Sequence, residues 1–551
     1  MKSWGRFEAL VIVLVLASTG ASMPQAISAV KAGSSCKKQG EFITVSSRTY
    51  TCIKSGKKLV WDKGVPVKKT SIPAQNSAAP SKIPVVAQVS PGDACSSMGK
   101  QIKNDKYVLE CRKIVGNRMV YFSVKNDFSP ITNPNSPEPH TTCRIADMRT
   151  NKPQAWSPAI AFPPNPAPGW NATGTYKIVV VGVDFSDFAG TGSVADLYEN
   201  DLKMARDWIN WYSNGKVKYE FTVNPNWIRA PKESWKYEQN AALMEALGKA
   251  EGKETGLTDA QRAEDYVQAI AKTTDLSNTA SIWVYHPLGI QTIYGQMLLN
   301  EVKVTTPNYG VVTANIYATG GDTYDSKRVR WGFFIHELMH RHGLFGHAPK
   351  IPWLIGIMSG ANGWSEELLT VDAQTLGWSK SEDIYCVNKS TLTSVDLKLV
   401  PIEREQEGLR AAQIKLNDHQ LITVESHHKD KWSFGLSPGS YGVMVYFTDT
   451  TISTTWDNVE GFANPSSTSV YLKVDNAQHG NYVSWGEKIT GKQLVDHSDV
   501  GVINGIGIQG DKANWDLNYM MYEGESITFK GIKVTLIQSG DNDTVRIQKV
   551  E

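Results

Sequence analysis

The sequence is organised around the stretch Trp331-Gly-Phe-Phe-Ile-His-Glu-Leu-Met-His-Arg-His-Gly-Leu-Phe-Gly-His347, which contains the pattern His336-Glu337-x-x-His340. Residues four apart lie on the same face of an α-helix, so the imidazoles of His336 and His340 can converge on one metal ion while Glu337 projects beside it. Neutral imidazole is a normal zinc ligand, and a site with three protein ligands leaves a fourth position for water. The stretch therefore predicts a helix that binds zinc.

The residues around this pattern favour a helix that is followed by a turn. Upstream, residues 326–335 contain no Pro, and apolar side chains recur on one side of the predicted helix. Gly343 stands where a helix needs a residue that tolerates positive φ in order to end. His347 follows within four residues, so a third ligand can come from the returning chain. The alternative is a buried helix with incidental histidines.

Two further segments carry a resemblance to a known family. HExxHxxG followed by a further ligand and a buried methionine turn is the metzincin arrangement, and Met358 within Ile-Gly-Ile-Met-Ser-Gly resembles that turn. The chain looks most like the secreted bacterial peptidases of the immune inhibitor A type, whose sequences continue to a Leu-Gly-Trp that is present here at 376–378. Weaker likeness is found at 176–187, 421–425 and 438–446, so the resemblance covers most of residues 174–550.

The resemblance implies an α+β metzincin-like domain that cleaves peptide bonds in a protein or peptide substrate. One catalytic zinc ion would be held by His336, His340 and a third ligand. Glu337 would act as general base and then as general acid, and Met358 would form the hydrophobic floor under the metal.

The third ligand departs from the pattern of the family. In metzincins it is the third residue after the glycine, which here is Gly346, and the histidine comes one residue later. We expect His347 to be the third ligand, since a non-helical loop can absorb a slip of one residue. His342 is a poorer candidate, because it would point to nearly the opposite side of the helix from His340. A carboxylate from further along is an alternative, with three candidates: Glu366, Glu367 and Asp372.

Length and composition predict a multidomain protein. The chain has 551 residues, 41% of them hydrophobic and 20% charged, and a net charge of +2 does not favour binding to nucleic acid.

Residues 1–30 are typical of a signal peptide, with a basic start and a short apolar run. That run is too short to span a bilayer, so no stable transmembrane segment is expected after cleavage; an uncleaved anchor is the alternative. We therefore expect a secreted protein.

Two short cysteine-containing repeats follow, at 31–64 and 93–123. Each has a second cysteine sixteen residues after the first, which favours one disulfide within each repeat: Cys36 with Cys52, and Cys95 with Cys111. They resemble short Lys-rich cysteine modules of exported actinobacterial proteins. Their lysines could hold an anionic cell-wall polymer and so associate the protein with the wall, or the repeats could be solvated spacers.

Residues 65–92 are predicted to be a linker, and 124–173 a Pro-rich linker or a strap over the catalytic surface. Cys143 lies in this second segment and is left with Cys386 once the repeats are paired. An even cysteine count in an exported chain favours a disulfide between them. The alternative is a free Cys143 thiol that reaches the zinc and keeps an enzyme latent.

The predicted zinc peptidase domain spans 174–386, and a β-sandwich-like domain spans 387–551. Helices are expected at 194–212, 240–249 and 258–272, and strands at 177–183, 219–223, 281–285 and 310–317. The family resemblance places residues 310–317 at the sheet edge above the cleft, where a peptide could add by main-chain hydrogen bonds. An ordinary paired strand is the alternative.

Several aspartates and histidines lie outside the predicted zinc helix. Four aspartates are candidates for a structural Ca²⁺ site, with turn formation as the alternative: Asp184, Asp187, Asp322 and Asp325. His427 and His428 are expected to be surface polar residues.

Two other functions are compatible with the sequence. The first is a catalytically inactive metzincin-fold protein that binds a surface or cell wall, which the shifted third ligand favours. The second is an esterase or amidase that uses the same zinc ion.

Overall fold

The computed structural model shows a multidomain protein of mixed α/β class with many strands and few helices. It describes residues 31–36, 42–45, 48–56, 58–63, 65–66, 89–115, 118–146, 164, 166–238, 256–290, 292–293, 297–320, 330–344, 356–358, 367–433, 442–450, 469–471 and 520–550. The chain divides into two compact units, Met1–Lys82 and Ile83–Glu551. The predicted signal peptide and the predicted helix at 240–249 lie outside the described residues.

The first unit contains the first cysteine repeat. Its strands are β1 (Phe42–Val45), β2 (Arg48–Ser55), β3 (Lys58–Trp61) and β4 (Val65–Pro66), and β2 pairs with each of the other three. The disulfide Cys36–Cys52 joins the segment before β1 to β2.

The second unit begins with the second repeat, a three-stranded antiparallel sheet of β5 (Gln101–Lys103), β6 (Tyr107–Val115) and β7 (Arg118–Asn126). The disulfide Cys95–Cys111 joins its first segment to β6. Each repeat thus has the internal disulfide that the cysteine spacing favours.

A five-stranded sheet forms the centre of the second unit. It is built from β8 (Gly174–Asp184), β9 (Val217–Arg229), β10 (Thr279–Tyr285), β11 (Met297–Thr306) and β12 (Gly310–Ala318). The strand order is β11-β12-β10-β8-β9, with β11 antiparallel and the remaining pairings parallel. The expectation that residues 310–317 form the edge strand is therefore wrong, because β12 pairs on both sides and β11 is the edge.

Helices cover both faces of this sheet. Helix α1 (Val194–Tyr212) and helix α3 (Arg330–His342) pack on one face, and α2 (Asp259–Ile270) packs on the other. The α1 bounds are those predicted from the spacing of apolar residues. Helix α2 begins at a capping box, in which Thr258 and Gln261 satisfy each other's main-chain N–H groups.

The C-terminal part contains a short helix, α4 (Thr370–Thr375), and two sheets that share one hydrophobic core. The first sheet comprises β13 (Ile384–Asn388), β15 (Ala411–Lys415), β16 (Gln420–His427), β17 (Gly442–Asp449), β18 (Ser469–Tyr471) and β19 (Met520–Met521). The second comprises β14 (Ser394–Leu399), β20 (Ser526–Phe529), β21 (Ile532–Gln538) and β22 (Asp543–Lys549). Two sheets facing one core make a sandwich-like arrangement.

The Pro-rich segment before β8 lies against the C-terminal sheets. Ile131 N–H donates to the Glu407 carbonyl (3.0 Å), and Asn133 exchanges two hydrogen bonds with the main chain of Lys398 (2.8 and 2.9 Å). The disulfide Cys143–Cys386 then fixes the segment to β13. Cys143 is therefore not a free thiol, and residues 131–143 form a strap along the C-terminal sheets.

The second repeat is also packed against its surroundings. Arg112 Nη1 donates to Asp207 of α1 (2.8 Å), and Tyr107 Oη donates to the buried Asp430 carboxylate (2.9 Å). Arg404 donates to the same carboxylate (2.7 Å).

The described chain contains three disulfides. None of its described helices is both long and apolar enough to cross a membrane.

Candidate metal centre

Helix α3 is deeply buried, and its two ends are fixed by identifiable contacts. At its start, Arg330 forms an ion pair with Asp201 of α1 (2.8 Å). At its end, Gly343 adopts a φ of 122°, which favours glycine, and its N–H donates to the Met339 carbonyl (3.2 Å). The side chain of every residue from Trp331 to Met339 that has one is buried. The sequence around the HExxH pattern therefore folds as a fixed helix followed by a turn.

His336 and His340 face each other on this helix. His336 Nδ1 lies 2.6 Å from the Ile357 carbonyl oxygen, and His340 Nδ1 lies 2.6 Å from the Leu344 carbonyl oxygen. Because a carbonyl only accepts, both Nδ1 atoms carry the hydrogen in the neutral rings, and both Nε2 atoms present lone pairs. The two Nε2 atoms are 3.1 Å apart.

That separation can be compared with the requirements of a metal ion. Two nitrogen ligands at about 2.05 Å from zinc, at the tetrahedral angle, are about 3.3 Å apart. Burial lowers the pKa of His340 to about 4, with the neighbouring Arg341 contributing, so the ring is neutral near pH 7. The carbonyl contacts on Nδ1 are those that commonly orient metal-binding histidines. The residues present therefore fit an ion shared by the two imidazoles.

Glu337 lies on the same helix and is 8% exposed. Burial raises the pKa of the Tyr317 hydroxyl, and the negative charge of Glu337 raises it further. Tyr317 Oη in turn donates to Asn300 Oδ1 on the edge strand β11 (2.9 Å). The charge of Glu337 thus acts on a hydroxyl of β12 that is hydrogen-bonded to the edge strand.

Met358 lies in a turn that contacts helix α3 through a main-chain carbonyl and through the hydrophobic core. Gly356 begins the turn with a φ of 83°, and Ile357 supplies the carbonyl that His336 contacts. Ile357 and Met358 are buried in the same hydrophobic cluster as the apolar residues of α3. The role of Met358 as the floor under a metal stays a prediction.

The candidates for the third ligand lie in different places. His347 and Glu366 lie outside them. His342 is buried with both ring nitrogens engaged, Nδ1 at the Asn171 carbonyl (2.5 Å) and Nε2 at Tyr219 Oη (2.8 Å). The described residues contain one group of three metal-ligating side chains, and it includes neither His336 nor His340, so Glu367 and Asp372 do not join the pair.

Two of the four aspartates that are candidates for a Ca²⁺ site have structural contacts. Asp184 pairs with Arg229 (2.7 Å) and accepts from Gly190 N–H (2.9 Å). Asp187 accepts from the N–H and the hydroxyl of Ser234 (2.8 and 2.7 Å). Asp322 and Asp325 lie outside the described residues.

The group of three is Glu367, Glu403 and His427, and it could hold a metal ion. Their ligand atoms all lie within 4.8 Å of one another, and all three residues are fully buried. The expectation that His427 is a surface residue is wrong, while His428 is partly buried beside Asp543. Burial lowers the pKa of His427, but Glu403 and Glu425 outweigh it and raise the pKa well above its usual value.

A signal for this group was present in the sequence. Thr423, Glu425 and His427 alternate with the apolar Ile422 and Val424 along β16, so they share one face of the strand. A polar face on a strand that is buried on both sides needs partners from another element.

Comparisons with known proteins add no assignment. No protein-family model matches the sequence, and no curated protein matches it.

Proposed function

We propose that the protein is a secreted zinc-dependent endopeptidase with a metzincin-like catalytic domain of the immune inhibitor A type. One observation carries the proposal: the Nε2 atoms of His336 and His340 face each other at 3.1 Å while both Nδ1 atoms contact main-chain carbonyls. With Nδ1–H donated to a carbonyl in each ring, the two Nε2 lone pairs face each other, and a cation held between them would remove their repulsion. Disulfides and the lack of a membrane-spanning helix among the described residues are compatible with an extracellular location.

The zinc ion would be held by His336, His340 and a third ligand, for which His347 remains our candidate. When bound, zinc supplies a Lewis acid that lowers the pKa of water and polarises a carbonyl group. The main-chain carbonyls of Ile357 and Leu344 keep the imidazoles in the tautomer that can bind it.

Glu337 would handle the proton. Its carboxylate would accept a proton from the attacking water and deliver it to the nitrogen of the leaving amine. The water becomes more acidic as it attacks, and the amine nitrogen becomes more basic as the peptide bond breaks. With 8% of its surface exposed, Glu337 is shielded but not sealed from solvent. General acid–base catalysis of this kind contributes about 10²- to 10⁴-fold to the rate.

A peptide substrate would add to β11, the edge of the sheet, and not to β12 as the family resemblance led us to expect. Among the described strands, β11 pairs on one side only. It carries a bulge at Glu301, where φ is 53°, and Asn300 next to it accepts from Tyr317. A peptide paired with this edge would lie one strand away from Tyr317 of β12, whose hydroxyl contacts Asn300 of β11.

The test is metal-dependent cleavage by the full-length exported chain. We expect hydrolysis of casein or gelatin that stops when a chelator removes zinc and resumes when zinc returns. Glu337→Ala should lose at least about 10²-fold in kcat/KM while retaining zinc. Glu220→Ala is a matched control, because this carboxylate is exposed on the opposite edge strand and pairs only with Lys218 in the described structure.

The outcomes separate the competing functions. Zinc bound by His336 and His340 with no cleavage in any peptide library would refute the proposal and favour an inactive binding protein. Hydrolysis of esters or side-chain amides without peptide cleavage would favour the esterase or amidase.

A further inference from the structure

A second cluster of metal-ligating side chains lies where the segment around α4 meets the outer face of the first C-terminal sheet. Glu367 comes from the segment before α4, Glu403 from the loop after β14, and His427 from the end of β16. The opposite face of β16 contributes Ile422 and Val424 to the core of the sandwich. The cluster therefore lies between the catalytic part and the C-terminal domain.

His427 has a carboxylate on each of its two ring nitrogens. Its Nδ1 lies 2.8 Å from Glu403 Oε1 and 3.9 Å from Glu367 Oε1. Its Nε2 lies 3.2 Å from Glu425 Oε1. The other oxygen of Glu425 accepts from Thr370 N–H (3.1 Å) and from Tyr446 Oη (3.2 Å), so this carboxylate is held as an acceptor for Nε2–H.

The charges of the cluster are not balanced by its own residues. Glu367, Glu403 and Glu425 are fully buried, and even a protonated His427 would leave two negative charges in excess. Two arginines of this region are engaged elsewhere: Arg404 pairs with Asp430, and Arg410 donates to main-chain carbonyls and faces Asp383. Uncompensated charge of this kind is costly in a protein interior.

The cluster is part of a wider buried polar surface. Thr423 shares its face of β16 with Glu425 and His427, and Gln413 lies opposite it on β15. Thr423 Oγ1, Gln413 Oε1 and Asp372 Oδ2 are buried and have no hydrogen-bond partner among the described residues. Thr423 is four residues from His427, about 13 Å along a strand, so these atoms mark a polar interface around the cluster and not the ion site itself.

We propose that Glu367, Glu403 and His427 bind a second divalent cation of the zinc or manganese class. Two carboxylate oxygens and one imidazole nitrogen are donors that such ions accept, whereas calcium prefers oxygen alone. With His427 neutral, an ion of charge +2 would balance its two ligating carboxylates and would reduce the excess in the whole cluster from two negative charges to one, that of Glu425. Glu425 would hold the far side of the ring, as carboxylates commonly do for metal-binding histidines.

This ion would join the C-terminal domain to the turn that orients His336. Glu367 accepts from Gly356 N–H through its side chain (3.1 Å) and from Ile357 N–H through its main chain (2.8 Å). The Ile357 carbonyl is the group that contacts His336 Nδ1. The second ion would therefore fix the turn beneath the helix site, although its binding does not require that the helix site be active.

The experiment measures metal content in a chain that lacks the helix site. The full-length His336→Ala/His340→Ala variant is incubated with excess zinc or manganese, desalted and analysed by inductively coupled plasma mass spectrometry. We expect one equivalent of metal to be retained. Retention of neither ion would overturn the proposal.

A third substitution assigns the retained ion to the cluster. Adding Glu403→Gln should weaken retention at least about tenfold, in line with the loss of a ligand. Glu405→Gln is the matched control, because this nearby carboxylate is exposed and pairs with Lys431 (3.3 Å). Equal retention in the two triple variants would contradict the assignment.

The two proposals fail separately. If the otherwise wild-type chain loses its metal on Glu403→Gln but not on His336→Ala/His340→Ala, the helix site is refuted and the second site stands. If Glu403→Gln does not fold, anomalous diffraction from crystals of the metal-loaded double variant replaces it. A peak among Glu367, Glu403 and His427 supports the site, and a hydrogen-bonded His427 without a peak overturns it.

Discussion

Removing one partner of the ion pair between Arg330 and Asp201 should destabilise the helix that carries His336 and His340. Arg330 Nε lies 2.8 Å from Asp201 Oδ2, and Arg330 Nη2 lies 3.5 Å from Oδ1. The two side chains are 10% and 4% exposed, so each charge depends on the other for compensation. The perturbation is Arg330→Met, which keeps most of the volume and removes the charge.

The magnitude follows from burial. Loss of one partner of a buried pair costs about 3–5 kcal/mol, because the remaining charge is left uncompensated. For a domain of 150–250 residues, each kcal/mol lowers Tm by about 2–4 °C, so we expect a fall of about 6–20 °C in the transition that includes α3. Adding Asp201→Asn should recover part of this loss, with a coupling free energy of about 0.5–3 kcal/mol.

The assay is calorimetry of the full-length variants with zinc present. Arg546→Met is the matched control: Arg546 makes two 2.7 Å contacts with Asp396, but the side chains are 47% and 46% exposed. Exposed pairs contribute about 0.2–1 kcal/mol. If Arg330→Met costs no more than Arg546→Met, burial does not set the strength of the pair and the reasoning is refuted.

Two further predictions concern stability. Removing the disulfide between the strap and β13 with Cys143→Ser/Cys386→Ser should lower the free energy of unfolding by about 2–5 kcal/mol, because this bond closes a sequence separation of 243 residues. The measurement is a thermal scan of the unfolding transition of the second unit. Cys36→Ser/Cys52→Ser, in the first unit, should leave that transition unchanged. Burial lowers the pKa of His286 from 6.5 to about 4. The contribution of this residue to the free energy of unfolding is therefore full above pH 6.5 and is lost as pH falls to about 4. His286→Phe should flatten the acid side of a plot of unfolding free energy against pH by about 3 kcal/mol, and an unchanged plot would contradict this.

The regular elements of the five-stranded sheet and its helices could be predicted where one periodicity extends through the whole element. Helix α1 has the predicted bounds, because its apolar residues recur at helical spacing and Ser193 caps its first turn. Strand β11 was missed. The bulge between Leu299 and Val302, with Glu301 at positive φ, breaks the alternation that identifies a strand. The placement of residues 310–317 at the edge came from the family resemblance, and no predicted strand lay beyond them to contradict it.

The candidate metal centre could be predicted only in part. The fixed spacing of a helix brings His336 and His340 together, so their pairing followed from sequence. The carbonyls of Ile357 and Leu344 that orient them could not be predicted, because they depend on how a turn packs against the helix. His427 was expected at the surface, whereas β16 extends to His427 and buries it. Its partners Glu367 and Glu403 are distant in sequence.

Anomalous diffraction from crystals of the zinc-loaded full-length protein tests the central claim most directly. We predict a zinc peak about 2.0–2.1 Å from Nε2 of both His336 and His340. An ordered helix α3 with those two imidazoles in contact and no metal between them, in protein that still cleaves casein, would contradict the account.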